Sequence, residues 1–149
     1  MKATELMIGD YVKYQGHIYI IEEISAKGWI HLAHPKAKIR INMTSDYIID
    51  LLEPIPLTKE ILEKNGFTQC VTAPCGYYNA PVYDMFGILF HISEDTYEDT
   101  WHIGVFTDHN DNNFVLYNLC YVHELQHVLK LCGFNELADT FKVKNNQYE

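Results

Sequence analysis

The sequence predicts an α+β fold, a small SH3-like β-barrel unit followed by a helix–three-stranded antiparallel sheet–helix unit. Three observations predict it. The first third holds five short apolar runs separated by turn residues, the middle holds a strongly signalled helix start, and the last third holds a helical apolar stripe. A hydrophobic fraction of 48% with 21% charged residues is that of a folded globular chain, and 149 residues suit one medium domain or two small units. The expected division is 1–53 for the barrel unit, 54–57 for a Pro-rich connector and 58–149 for the α+β unit.

In the first unit, Gly9-Asp10 turns the chain into Tyr11–Tyr14, and Gln15-Gly16 is a two-residue turn before His17–Ile24. Ile18, Ile20 and Ile24 fall on one face of that strand, interrupted by Glu22. Lys27-Gly28 marks the next turn. Trp29–His34 sets Ile30 and Leu32 opposite His31 and Ala33, and Pro35 ends it. Lys38–Met43 alternates, with Ile39, Ile41 and Met43 in and Lys38, Arg40 and Asn42 out. Tyr47–Leu52 is the fifth run, and five strands at this spacing suit a small barrel.

Two prolines in Glu53-Pro54-Ile55-Pro56 remove donors and hold the connector extended. Thr58 then caps a short helix, Lys59–Asn65, with Leu57 and Leu62 as a hydrophobic staple. Gly66 stands where a left-handed residue ends the helix, and Phe67 can fold back onto Leu62. A turn-rich loop, Cys70–Pro81, precedes three strands at Val82–Ile92, Trp101–Thr107 and Asn113–Leu119. The connections Ser93–Thr100 and Asp108–Asn112 are polar. Tyr121–Phe134 is a helix closed by Gly133, and a polar tail with a further helical turn follows.

Charge excludes more than it suggests. The net charge is −9, about −1 over residues 1–53 and −8 over the remainder, so the chain is acidic. No Lys or Arg lies between Lys64 and Lys130, and Arg40 is the single arginine. Nucleic-acid binding needs clustered cations, so it is disfavoured; Lys36, Lys38 and Arg40 form one local basic edge. No run of about 18 apolar residues exists to span a membrane. Glu5 interrupts the region where a signal peptide is apolar, which predicts a cytoplasmic protein. In that compartment Cys70, Cys75, Cys120 and Cys132 are expected to be reduced, and none forms the Cys-x-x-Cys pair of a zinc ribbon.

The one motif with catalytic chemistry is His123-Glu124-Leu125-Gln126-His127. On a helix, histidines four apart can share a tetrahedral zinc while the glutamate activates the bound water. Three features oppose a hydrolytic zinc here. Gly133 occupies the position six residues after His127 where a third histidine would stand, leaving Glu136, Asp139 or Glu149 as carboxylate ligands. Only 22 residues follow His127. At 100° per residue, Val122, Leu125, Leu129 and Cys132 form the buried stripe, and His123, His127 and Lys130 project from the other side. A solvated histidine face is therefore expected, with no cofactor. The alternative is zinc on His123 and His127 with Glu124 as base.

Weaker constellations remain. Asp108-His109-Asn110-Asp111-Asn112-Asn113 begins like a calcium loop but has Asn113 and Leu119 where glycine and glutamate are needed, so a hairpin turn is expected. Glu94-Asp95 and Glu98-Asp99 read as a solvated loop. Tyr77, Tyr78 and Tyr83 in the Pro-rich loop are candidates for lining a peptide groove. No phosphate loop, Gly-x-Ser-x-Gly elbow or dinucleotide fingerprint is present.

Three blocks resemble, in order, a family of small uncharacterised proteins of gut bacteria and their prophages. They are Lys2-Ala3-Thr4-Glu5-Leu6-Met7-Ile8-Gly9-Asp10-Tyr11-Val12, then Glu53-Pro54-Ile55-Pro56-Leu57-Thr58-Lys59-Glu60-Ile61-Leu62-Glu63-Lys64-Asn65-Gly66-Phe67, then Tyr121-Val122-His123-Glu124-Leu125-Gln126. The resemblance spans nearly the full length. It implies a bacterial, intracellular setting linked to mobile elements, and it implies no activity. The family's closing motif is Tyr-Val-His-x-Leu-Gln, without a required second histidine. The expected function is a non-catalytic interaction or accessory module with a protein partner, ahead of a zinc-dependent hydrolase and a nucleic-acid-binding barrel.

Overall fold

The computed structural model describes residues 5–27, 29–44, 49–69, 77–79, 88–95, 100–107 and 110–143. The fold is α+β, with two compact units. One joins the chain up to Pro56 with Tyr121–Asp139; the other runs from Leu57 to Cys120 and takes in Thr140–Lys142. The closing helix thus belongs with the first sheet, whereas residues 58–149 were expected to form one unit. Its physical reason is a set of side-chain bonds from that helix to residues 8–11, described below.

In the first unit, strands β1 (Tyr11–Tyr14), β2 (His17–Ile24), β3 (Trp29–Ala33), β4 (Arg40–Thr44) and β5 (Leu52–Glu53) form an antiparallel sheet in the order β4-β3-β2-β1-β5. Gln15 and Gly16 both have positive φ (49° and 83°), the backbone that a two-residue hairpin between twisted strands requires. The expected closed barrel is not seen. Among the described residues β4 and β5 end the sheet without pairing to each other, and β5 is only two residues long, paired with Lys13 and Tyr14. The fifth apolar run instead supplies a 3-10 turn, Ile49–Leu51, ahead of β5.

The core of this unit is Leu6, Val12, Tyr19, Ile21, Ile30, Leu32 and Leu52, with Tyr14 and Ile41 against it. In β2 the buried positions are therefore Tyr19 and Ile21, the opposite parity from the expected Ile18, Ile20 and Ile24. A register shift between Ile21 and Glu23 breaks the alternation, so Ile24 returns to pair with buried Ile30. Ile39, expected inside, is exposed because it precedes β4. Helix α2 (Val122–Leu131) lies against β1, and α3 (Asn135–Asp139) follows it.

The second unit holds α1 (Lys59–Lys64) and strands β6 (Thr68–Gln69), β7 (Tyr77–Asn79), β8 (Ile88–Asp95), β9 (Thr100–Thr107) and β10 (Asn110–Leu119), in the antiparallel order β10-β9-β8-β7-β6. Three strands were expected and five are present among the described residues, because β6 and β7 are too short to show alternation. Tyr77 and Tyr78 open β7, whereas Tyr83 lies outside the described residues. The calcium-like segment starts outside them, and from Asn110 onward it is strand β10. Leu57, Leu62, Phe67, Trp101, Leu119 and Phe141 are buried, and Trp101 donates its indole N–H to Leu57 O at 3.0 Å. Among the described residues no helix is long and apolar enough to cross a membrane.

Candidate functional site

Helix α2 carries the histidine motif, and its ends are fixed by local chemistry. Tyr121 at the N-cap has extended backbone angles, and Glu124 Oε2 accepts its N–H at 3.0 Å. The catalytic-base candidate thus commits one oxygen to the glutamate half of a capping box. At the other end Gly133 has φ +85°. Its N–H donates to Lys130 O at 3.1 Å, and the Phe134 N–H donates to Leu129 O at 2.8 Å. Those two bonds define a Schellman close, so the residue standing in place of a third histidine is there for backbone reasons.

Val122, Leu125 and Leu129 are fully buried, as the apolar stripe predicts. The expectation for the other side of the helix is corrected. His123 is only 4% exposed and Gln126 1%, and the side chain of His127 is 21% exposed. These polar residues and Lys130 form a second stripe at i, i+3, i+4 and i+7, facing the turn that precedes β1.

That turn is built for the contact. Asp10 N–H donates to Met7 O at 3.2 Å, and Gly9 takes φ +94°, the left-handed value a type II turn needs at its third position. Asp10 is completely buried, and its Oδ2 accepts Met7 N–H at 2.7 Å. Four successive residues of this segment each meet α2. Lys130 Nζ donates to Ile8 O at 3.1 Å. Gln126 donates through Nε2 to Gly9 O at 3.0 Å and accepts Tyr11 N–H on Oε1 at 3.2 Å. His127 Nε2 lies 2.9 and 2.8 Å from the two oxygens of Asp10. Gln126 Nε2 also donates to Ala138 O in α3 at 3.2 Å.

The chemistry of each contact is specific. Gly9 O and Tyr11 N–H flank Asp10 on one edge of the chain, as two groups would that meet a neighbouring strand; the Gln126 amide takes the place of that strand's peptide group. The Asp10 oxygens accept this contact in the tautomer that carries its proton on His127 Nε2, and in that tautomer the nitrogen has no lone pair for a metal. Lys130 is tied to Ile8 O and lies 3.5 Å from Asp139. A Cβ at Gly9 would stand 3.2 Å from its Nζ, the movable end of a flexible side chain, so the positive φ is what favours glycine here.

His123 differs from its neighbours. Its ring stacks on Tyr121 (5.8 Å, 9° between planes) and meets His127 edge-on (5.8 Å, 75°). Its Nδ1 is buried without a hydrogen-bond partner among the described residues. Burial holds its pKa below the ordinary 6.5, a shift opposed by the charges of Asp10, Glu124 and Glu5 and reinforced by His127. Among the described residues no three His, Cys, Asp or Glu side chains converge as a metal-holding group. Cys120 and Cys132 are half-buried and form no disulfide with each other, and burial pushes the Cys132 thiol above its usual range.

The other candidates lie elsewhere. Lys36 and Lys38 are on the exposed β3–β4 turn, and Arg40 opens β4, bound to Glu22. Tyr77 and Tyr78 pair through the backbone with Ser93 and Ile92 of β8, respectively. Two central residues, Asp10 and Gln126, were not singled out from the sequence. Their only signal is that Gly9-Asp10-Tyr11 and Gln126 fall in the opening and closing blocks, which meet here. Comparison with family models, curated proteins and solved structures finds no match to this chain.

Proposed function

We propose that the protein is a non-catalytic interaction or accessory module of a bacterial genome or mobile element, working in the cytoplasm with a protein partner. The observation that carries this reading is the use made of the His-Glu-x-x-His residues. Glu124 caps α2, His127 is bound to buried Asp10, and Gln126 between them docks the helix on residues 9–11. Each is engaged in holding the fold together.

The order of the first sheet supports an SH3-like unit. Its fifth strand lies beside its first, and a 3-10 turn precedes that fifth strand. Folds of this kind host many unrelated functions, and peptide recognition recurs among them. The three-block resemblance supports the bacterial setting. An affinity pull-down from the native host tests the proposal: a reproducible, stoichiometric protein partner is expected, and consistent recovery of none contradicts it.

One observation favours a second reading, the zinc-dependent hydrolase. His123 Nδ1 is buried without a partner among the described residues, one helical turn from His127. Metal analysis of untagged protein separates the two. About one zinc per chain, lost in His123→Ala, establishes the metal site; a value near zero after incubation with zinc removes it.

A further inference from the structure

Among the described residues, the outer edge of the first sheet at β4 combines an unpaired strand with three exposed cations, Lys36, Lys38 and Arg40. Among the described residues β4 pairs only with β3. The phase of that ladder follows from one bond, His34 N–H to Ile39 O at 3.0 Å, which continues the Ala33↔Arg40 register by one pair. Hydrogen-bonded pairs alternate along an antiparallel ladder. Ile41 and Met43 therefore turn their backbone groups to β3, while Arg40, Asn42 and Thr44 turn theirs outward.

The approach to this edge is rigid and cationic. The buried His34 ring accepts the N–H groups of Lys36 (3.2 Å) and Ala37 (3.0 Å) on Nδ1, fixing the turn that presents Lys36 and Lys38. Glu22 holds Arg40 through Nε and Nη2 at 3.1 and 3.2 Å. Residues 35–40 are all exposed, and Ile39 among them is 48% exposed. Elsewhere the chain is anionic, with −8 beyond residue 53.

We infer that β4 is a strand-addition site for an acidic, extended peptide segment of a partner protein. The partner's backbone would pair with Arg40, Asn42 and Thr44, and its carboxylates would meet Lys36, Lys38 and Arg40. A second copy pairing through its own β4 is the poorer occupant, because residues 35–44 hold no carboxylate to meet these cations. The inference rests on the interaction-module reading and names the surface and the partner's chemistry.

The test is a fluorescence-anisotropy titration of the full chain with a labelled, end-blocked peptide of about eight residues alternating Glu and Val. Saturable binding is expected at low salt, weakening as salt rises, with amide shifts in Arg40, Asn42 and Thr44 by NMR. Asn42→Pro removes one outward N–H, which an edge strand tolerates, and is expected to weaken binding about tenfold or more. The Lys36→Glu, Lys38→Glu double variant changes only exposed turn positions and is expected to weaken it similarly. A Lys/Val peptide is expected not to bind.

No saturable binding of the Glu/Val peptide, or binding unchanged in both variants, overturns the inference. Tighter binding of a single-stranded oligonucleotide than of the peptide overturns it in favour of nucleic acid. A host partner that is recovered equally by both variants leaves the module reading standing and removes this edge as its surface.

Discussion

Helices α1 and α2 close with the same motif and are held in place by different means. Each ends on Gly-Phe with a left-handed glycine, Gly66 at φ +81° and Gly133 at +85°. Each makes the two Schellman bonds, from Gly66 and Phe67 to Glu63 and Leu62, and from Gly133 and Phe134 to Lys130 and Leu129. α1 starts on Thr58, whose hydroxyl accepts Ile61 N–H at 3.4 Å, and Asn65 ties its end to Lys142 by two bonds of 2.7 and 2.9 Å. α2 is instead anchored along its length by Gln126, His127 and Lys130, which reach residues 8–11 across sequence separations of 115 to 122. Short-range caps decide where a helix begins and ends; long-range polar contacts decide what it is docked to. In α2 that docking engages His127, one of the two histidines of the candidate metal site.

The largest expected effect separates the helices at Gln126. Gln126→Leu keeps the volume but strands Gly9 O, Ala138 O and Tyr11 N–H in a buried seam, at a cost of about 3–5 kcal/mol. Urea denaturation measures it, and a loss below about 1 kcal/mol would show that the amide is incidental. Asp10→Asn keeps the shape and removes the charge that His127 and Met7 N–H share. Since His127 is partly exposed, the expected loss is smaller, about 2 kcal/mol.

Acidification should act on α2 through His123. The folded-state pKa lies below the unfolded value of 6.5 because burial disfavours the charged ring. Below 6.5 the unfolded chain therefore binds more protons than the folded one. Stability falls as the pH drops through 6.5 and levels off below the folded pKa. His123→Phe should flatten that slope in urea midpoints measured across the window; an unchanged slope would assign the titration to another group.

The caps give the smallest effects. A Cβ at Gly133 meets nothing within 4 Å, so Gly133→Ala reports the left-handed backbone alone, about 1–2 kcal/mol. Thr58→Ala removes one long cap bond and should cost about 1 kcal/mol or less. Thermal melts of the two variants rank them.

These differences also mark how much could be read from the residues. Thr58, Gly66 and Phe67 announce α1 because capping is local, and Gly133 ends α2 for the same reason. Ile30 and Leu32 identify the buried face of β3 by alternation. The face of β2 was misassigned because the shift between Ile21 and Glu23 is a feature of pairing, not of composition. Barrel closure depends on which distant strands meet, and β5 is too short to announce its partner. His123 was placed outside because periodicity scores polar side chains as solvated, and Gln126 was not singled out. A glutamine whose amide substitutes for a strand's peptide group carries no such signature, and only the turn at Gly9-Asp10 opposite it explains its burial.

The central claim is that the histidine motif holds α2 to the N-terminal turn. The most direct test is a double-mutant cycle between Asp10→Asn and His127→Gln, read from urea unfolding in the presence of a chelator. A coupling of about 1–3 kcal/mol is predicted, because each side chain loses most of its value without the other. Additive losses, with coupling near zero in metal-free protein, would contradict it.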